Sequence, residues 1–205
     1  MASQETLRFL QNEVGRLRDE NRELKDELNL LRTSLRALSG LQDVAERLTT
    51  GTDLVTFLDE VLASALAVVG ANDGSLLLQD EATGELVFVV VHGEARTRLT
   101  GYRLPRGQGI AGWVAENRRP VLVRDARQDP RFTSQVDEGF DFQTTSLACV
   151  PLVEENRVIG VIEAVNKSKE REFTPEDHDL LKLVAQLATL AIVRAEGFAE
   201  TAGPA

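Results

Sequence analysis

Lys167 and Asp177 bracket most of the stretch "NKSKEREFTPED" (166–177), in which Asn166 and Lys167 close an apolar run and Phe173 leads into a new helix start. Opposite charges at those places have two uses. They can pair, tying a strand end to the first turn of a helix whose positive end favours an acid, or they can meet a charged ligand directly. Other reactive groups are sparse. Cys149 is the one cysteine and lies in the apolar run "SLACVPL", the setting of a buried, inert thiol. His92 and His178 are too few for a metal cluster, and His92 reads as an ordinary strand-end residue. Asp137, Glu138 and Asp141 make an acidic loop with the character of a solvated surface. There is no nucleophile–base set and no phosphate-loop motif, so hydrolase and kinase chemistry, a metal and a cofactor all lack a basis.

These residues must be held by an alternation of helix, strands and helix over residues 41–197. Residues 53–69 repeat an amphipathic pattern through Leu54, Phe57, Leu58, Val61, Leu62 and Leu66, with Thr52 or Asp53 as its cap. Strands are expected at 74–80 and 85–93, and a third, edge strand is expected in "RLTGYRLP", stopped by Pro105. Gly107 and Gly109 precede a short helix over 110–116, packed onto the sheet by Trp113, and Pro120 sets up the strand "VLVRD". Residues 133–144 read as a polar loop. Two more strands, 145–153 and 157–167, are joined by the turn "EENR". The closing helix begins with Thr174 as cap, Pro175 at its first position and acids in its first turn. Helices flanking an antiparallel sheet define an α+β fold. Residues 198–205 remain as a flexible C-terminal tail.

Residues 1–40 are different in kind. Leu7, Val14, Asn21, Leu28 and Leu35 alternate with Leu10, Leu17, Leu24, Leu31 and Leu38 at steps of three and four, the seam of a left-handed coiled coil. Glu13, Glu20 and Glu27 precede Arg18, Lys25 and Arg32 at the spacing that pairs opposite charges between parallel, in-register chains. Asn21 on the seam favours two strands, since two buried amides can bond each other. This segment predicts a homodimer.

The composition narrows the class further. The chain of 205 residues is 42% hydrophobic and 27% charged, with a net charge of −10. Residues 1–38 hold equal numbers of basic and acidic groups, so the excess acid lies wholly in residues 39–205 and disfavours nucleic acid. No apolar run approaches the ~20 residues of a membrane span, and the N-terminus does not read as a secretory signal. A cytoplasmic protein is expected.

Taken in order, "GSLLLQD", "GELVFVVVHG", "RLPRGQGIAGWVAENRRPVLVRDARQDPRF", "TSLACVPLV", "VIGVIEAVNK" and "FTPEDHDLL" resemble a GAF domain over about residues 41–197. The resemblance implies a six-stranded antiparallel sheet with helices on one face and a small-molecule pocket on the other. It also implies terminal helices that dimerise and join signalling coiled coils. Asn166, Lys167, Phe173 and Asp177 match most of a pattern associated with cyclic-nucleotide-binding members, with His178 where that pattern has Glu. In the family this pair is generally a structural lock behind the pocket. By the same resemblance the pocket would be lined by Ser75, Val91 and His92, by the backbone donors of Ile110 and Ala111, and by Thr133, Asp137, Phe140 and Thr144. Val91 replaces an aromatic that stacks on a purine, His92 replaces an acid, and Phe140 replaces a smaller hydroxyl residue. Methionine-sulfoxide-reducing members need several cysteines, and bilin-binding members attach their chromophore at a Cys usually followed by His, whereas Val150 follows Cys149. The expected function is a non-catalytic, dimeric signalling module that binds a small molecule, nucleotide-like or anionic, and regulates a separate effector protein. The alternative is a ligand-free scaffold for dimerisation and docking.

Overall fold

Alternation along two central strands gives the domain its two faces. In a computed structural model, which describes residues 13–22, 54–167 and 172–202, β1 (Ala71–Gln79) and β6 (Arg157–Lys167) pair antiparallel at the middle of a six-stranded sheet. β2 (Leu86–His92) and the two-residue β3 (Arg103–Leu104) extend it on one side, β5 (Leu147–Glu154) and β4 (Val121–Val123) on the other. The order is β3-β2-β1-β6-β5-β4, with every pairing antiparallel. This is the six-stranded antiparallel sheet flanked by helices that the sequence led us to expect.

Leu76, Ala148, Val150, Ile162 and Ala164 point to one face and pack with α2 (Leu54–Val69) and α6 (Pro175–Ala202). On that side α2 contributes Leu58, Leu62 and Leu66, and α6 contributes Leu181, Ala188 and Ile192, all deeply buried. Contact is close enough that a Cβ at Gly74 would lie 2.6 Å from Leu66 Cδ2 and from the Glu163 carbonyl oxygen. Only glycine fits there. Leu77, Val91, Leu147, Cys149 and Val161 point to the other face. It is covered by three short helices, α3 (Arg96–Leu99), α4 (Gly109–Asn117) and α5 (Gln135–Phe140), and by the loops between them.

Several expectations are revised. The edge strand expected over residues 98–105 shrinks to Arg103–Leu104; its first two residues end α3, whose Leu99 turns inward into the core, and a turn follows. The polar loop contains α5, whose Asp137 is buried. α6 runs through residues 198–202, part of the segment expected as a flexible tail, since "GFAETA" holds good helix formers after the exposed Gly197. β1 starts at Ala71, earlier than expected.

The chain divides into two units, residues 1–40 and 41–205. In the first, residues 13–22 form a helix, α1, in which Arg16 pairs with Glu13 (2.5 Å) and Glu20 (3.8 Å). The seam positions Val14 and Leu17 are 46% and 53% exposed, and Asn21 is exposed too. The other seam residues and the cap positions Thr52 and Asp53 lie outside the described residues.

Candidate ligand cavity

Five residues form a row across the face beneath α4 and α5. Register places Val91, Ser75, Glu163, Cys149 and Val121 side by side on β2, β1, β6, β5 and β4. The Ser75 hydroxyl donates to Glu163 Oε2 (3.0 Å), and the Cys149 thiol bonds the same carboxyl from the other side. Ser75 and Cys149 are fully enclosed, whereas Glu163 keeps part of its area. Since Glu163 sits mid-sheet, that area faces a cavity of about 100 Å³. Burial raises the carboxyl's pKa above its ordinary value, opposed by the hydrogen bonds from Ser75 and Cys149. Burial, reinforced by the neighbouring Glu163 charge, pushes the Cys149 thiol well up, so it is unreactive.

The cavity walls are apolar. Phe88, Phe132, Phe140 and Phe142 supply rings, and Tyr102 stacks edge-on to Phe140 with centroids 5.1 Å apart. Ile110 and Ala111 form another wall, buried at the start of α4. The first backbone N–H groups of a helix lack partners within it, and Gln108 gives them no side-chain cap. Gly109 adopts φ +68°, which suits the turn into that helix. Thr133 borders the cavity in partial contact with solvent.

Asp137 and Thr144 also line the cavity, but they are chiefly engaged with each other. Asp137 Oδ2 accepts from the Thr144 N–H (2.8 Å) and Oδ1 from its hydroxyl (2.8 Å), closing the loop from α5 into β5. His92 lies at the rim with Nε2 3.1 Å from Asp59 Oδ1 on α2, close but not aligned as a hydrogen bond. Arg96 bonds the same Asp59 oxygen at 3.0 Å. All nine residues expected at the pocket therefore border one cavity. The sequence reading missed Glu163 and three of the four phenylalanines. An isolated acid at an inward position of an otherwise apolar strand, "VIGVIEAV", was the available signal for Glu163.

Outside the cavity, Asp73 and Phe142 are shared with a polar recess of about 800 Å³ that also has Asn72, Glu94, Arg127, Asp141 and Asn166 on its walls. Burial, with the nearby Glu94 charge, raises the Asp73 pKa.

Lys167, Phe173 and Asp177 stand apart from both. The Lys167 ammonium pairs with Asp177 Oδ2, with both side chains largely buried, and lies 5.8 Å from the Phe173 ring centre. Asp177 Oδ2 also accepts from the Thr174 N–H (2.7 Å), while the Asp177 N–H reaches back to Thr174 Oγ1 (3.3 Å), a reciprocal cap on α6. Asn166, at φ +53°, accepts from the Thr145 N–H (2.8 Å) and hydroxyl (2.9 Å) and donates to the Gln143 carbonyl (2.7 Å). Trp113 packs against the core under Arg131, whose guanidinium lies 4.6 Å from its ring centre. Among the described residues no His, Cys, Asp and Glu cluster could hold a metal ion, and no helix is long and apolar enough to cross a membrane.

A six-stranded sheet with terminal helices on one face and, on the other, an apolar-walled cavity floored by Ser75, Glu163 and Cys149 defines a class of sensor-type regulatory domain. Residues 53–192 match the GAF domain family, and the chain belongs to it. It is 31% identical over 157 residues to the dual 3′,5′-cyclic-AMP and -GMP phosphodiesterase 11A of Takifugu rubripes, covering 72% of this chain and 17% of that protein. The chain spans about a fifth of the length of the curated relatives it matches. Among solved structures it resembles the GAF domain of a phosphoenolpyruvate-protein phosphotransferase from Coxiella burnetii (TM-score 0.69, 20% identity, 81% of this chain and 98% of that one). A methyl-accepting chemotaxis protein, residues 122 to 287, is similar at TM-score 0.65 and 27% identity over 76% of this chain and 98% of that one.

Proposed function

We infer that this chain is a non-catalytic sensor that binds a small polar molecule in the cavity over Glu163 and works as a parallel dimer joined through residues 7–38. The observation that carries this reading is the buried Ser75–Glu163–Cys149 row at the floor of a cavity. A domain serving only as a scaffold gains stability by filling such a space with Leu or Val, and an enclosed acid costs stability. An acid retained there, with accessible area only toward the cavity, supports recognition. The exposed Val14 and Leu17 support a partner helix on the seam. Asn166, Lys167, Phe173 and Asp177 act in this reading as a lock that fixes α6 to the sheet end, with no direct ligand contact. The signal passes to a separate effector protein, and the setting is the cytoplasm.

The phosphodiesterase relatives take their names from cyclic nucleotides. The cavity of about 100 Å³ is well below the ~300 Å³ at which pockets for drug-sized ligands begin, and Val91 offers no ring for a base to stack on. A smaller occupant than a nucleotide fits better. Mass spectrometry of compounds released from the denatured, purified protein tests the reading directly. A ligand at a hundred times its dissociation constant stabilises the fold by ~2.7 kcal/mol, and Ala111→Trp, filling the cavity, should remove that effect. No released compound, together with no thermal response to any small molecule, returns the chain to the ligand-free scaffold. Leu24→Cys should form a disulfide between identical positions of two chains; a monomer at micromolar concentration overturns the dimer.

A further inference from the structure

We propose that the cavity takes a compact organic cation, its charged nitrogen caged by phenylalanine rings and paired with the Glu163 carboxylate. This rests on the reading above and fixes the charge and size of what that site binds.

Four observations converge on it. The ionisable side chains bordering the cavity are Asp73, His92, Asp137 and Glu163, so among the described residues that line it there is neither Lys nor Arg. An anion placed there would meet like charge. Both Asp137 oxygens are engaged by Thr144. Asp73 stands at the rim and accepts the Glu94 N–H, so Glu163 is the acid on the cavity floor with accessible area and capacity to accept further bonds. Phe88, Phe132, Phe140 and Phe142 line the same space, and aromatic walls attract a desolvated cation through their ring quadrupoles. Finally, the larger recess that meets the cavity at Asp73 and Phe142 sets Asp73, Glu94 and Asp141 against the single cation Arg127. An acidic antechamber concentrates cations at the approach.

The groups facing Glu163 fix the sign of a pH effect. Ser75 on β1 and Cys149 on β5 donate to it, with Arg131 beyond Cys149; Asp137 on α5, and Asp73 and His92 at the rim, complete the set of ionisable groups. Burial favours the protonated acid when the cavity holds no cation. A bound cation favours the carboxylate, so binding expels a proton, and affinity for the cation rises with pH until Glu163 is ionised without help.

The test uses the full chain with methylguanidinium and tetramethylammonium chlorides, against acetamide, acetate, inorganic phosphate, cyclic AMP and cyclic GMP, at matched ionic strength. Thermal melting and titration calorimetry should show binding of at least one cation, tightening as pH rises, with proton release seen as a dependence of the heat on buffer ionisation. Glu163→Gln should weaken cation binding at least tenfold at pH 8 and remove its pH dependence. If that variant does not fold, proton release by the wild-type chain decides, and its absence overturns the proposal. Cation binding that survives intact in a folded Glu163→Gln variant overturns it as well. Binding of phosphate, acetate or a cyclic nucleotide in place of the cations refutes the charge assignment and leaves the sensor reading standing. If no compound binds and none is released on denaturation, both fall together.

Discussion

The two faces of the sheet are built from the same strands and obey opposite priorities. Toward α2 and α6 the alternate residues are Leu76, Val150, Ile162 and Ala164, packed against Leu58, Leu62, Leu181 and Ala188. Toward α4 and α5 the intervening residues include Ser75, Glu163 and Cys149, beside a cavity. One face maximises buried apolar area, the main favourable contribution to folding. The other gives up part of that stabilisation and encloses an acid. A face that gives up stability in this way supports the proposal that the site lies there.

The largest effect that sharpens this contrast is on the helix face. Leu62→Ala should cost about 2–5 kcal/mol in chemical denaturation, through lost burial and the void left behind, without altering the cavity chemistry. A cost below about 1 kcal/mol would mean the helix face is not the close-packed one.

The lock between strand end and helix start comes next. Asp177→Ala removes both the partner of a largely buried Lys167 and one half of the reciprocal cap on α6. A loss of about 2 kcal/mol in melting experiments is expected. Asp177→Asn should recover part of it by keeping an acceptor for the Thr174 N–H. Unchanged stability with a lost ligand response would instead assign these residues to the ligand.

On the cavity face the sign itself is the prediction. Glu163 has a pKa raised in the folded protein, so its contribution is fully present below the ordinary carboxyl range and is lost as pH rises through the raised value. Glu163→Gln should therefore match the wild type at low pH and become relatively more stable as pH rises. A wild type more stable than Glu163→Gln at every pH would show that the acid is structural, and the contrast between the faces would collapse.

The smallest effect lies outside both faces. Arg157 at the start of β6 reaches Glu81 (2.6 Å), Glu154 (3.0 Å) and Glu196 (2.6 Å), joining the β1–β2 turn, the end of β5 and α6. The cluster is substantially exposed, so Arg157→Ala should cost no more than ~1 kcal/mol and less in high salt. A salt-independent loss of several kcal/mol would make the rim as important as the core.

The sequence by itself determined what depends on short-range pattern. Short apolar runs set off by turn residues located β1, β2, β5 and β6, a 3.6-residue period located α2, and Thr174-Pro175 with acids behind them located the start of α6. The motif order identified the family, and so nine of the residues that border the cavity. Tertiary structure decided what depends on register between distant strands. Ser75 and Glu163 are far apart in the chain, and only the pairing of β1 with β6 sets one hydroxyl on one carboxyl. The same is true of the Asp137–Thr144 closure, of α3 and α5, whose few turns carry too little periodicity to read, and of the aromatic walls drawn from β2, α5 and the loops on either side of α5. A period can be read along a chain, because it repeats within a turn or a pleat. A cavity cannot, because its walls become neighbours only when the sheet has formed and its faces have been covered.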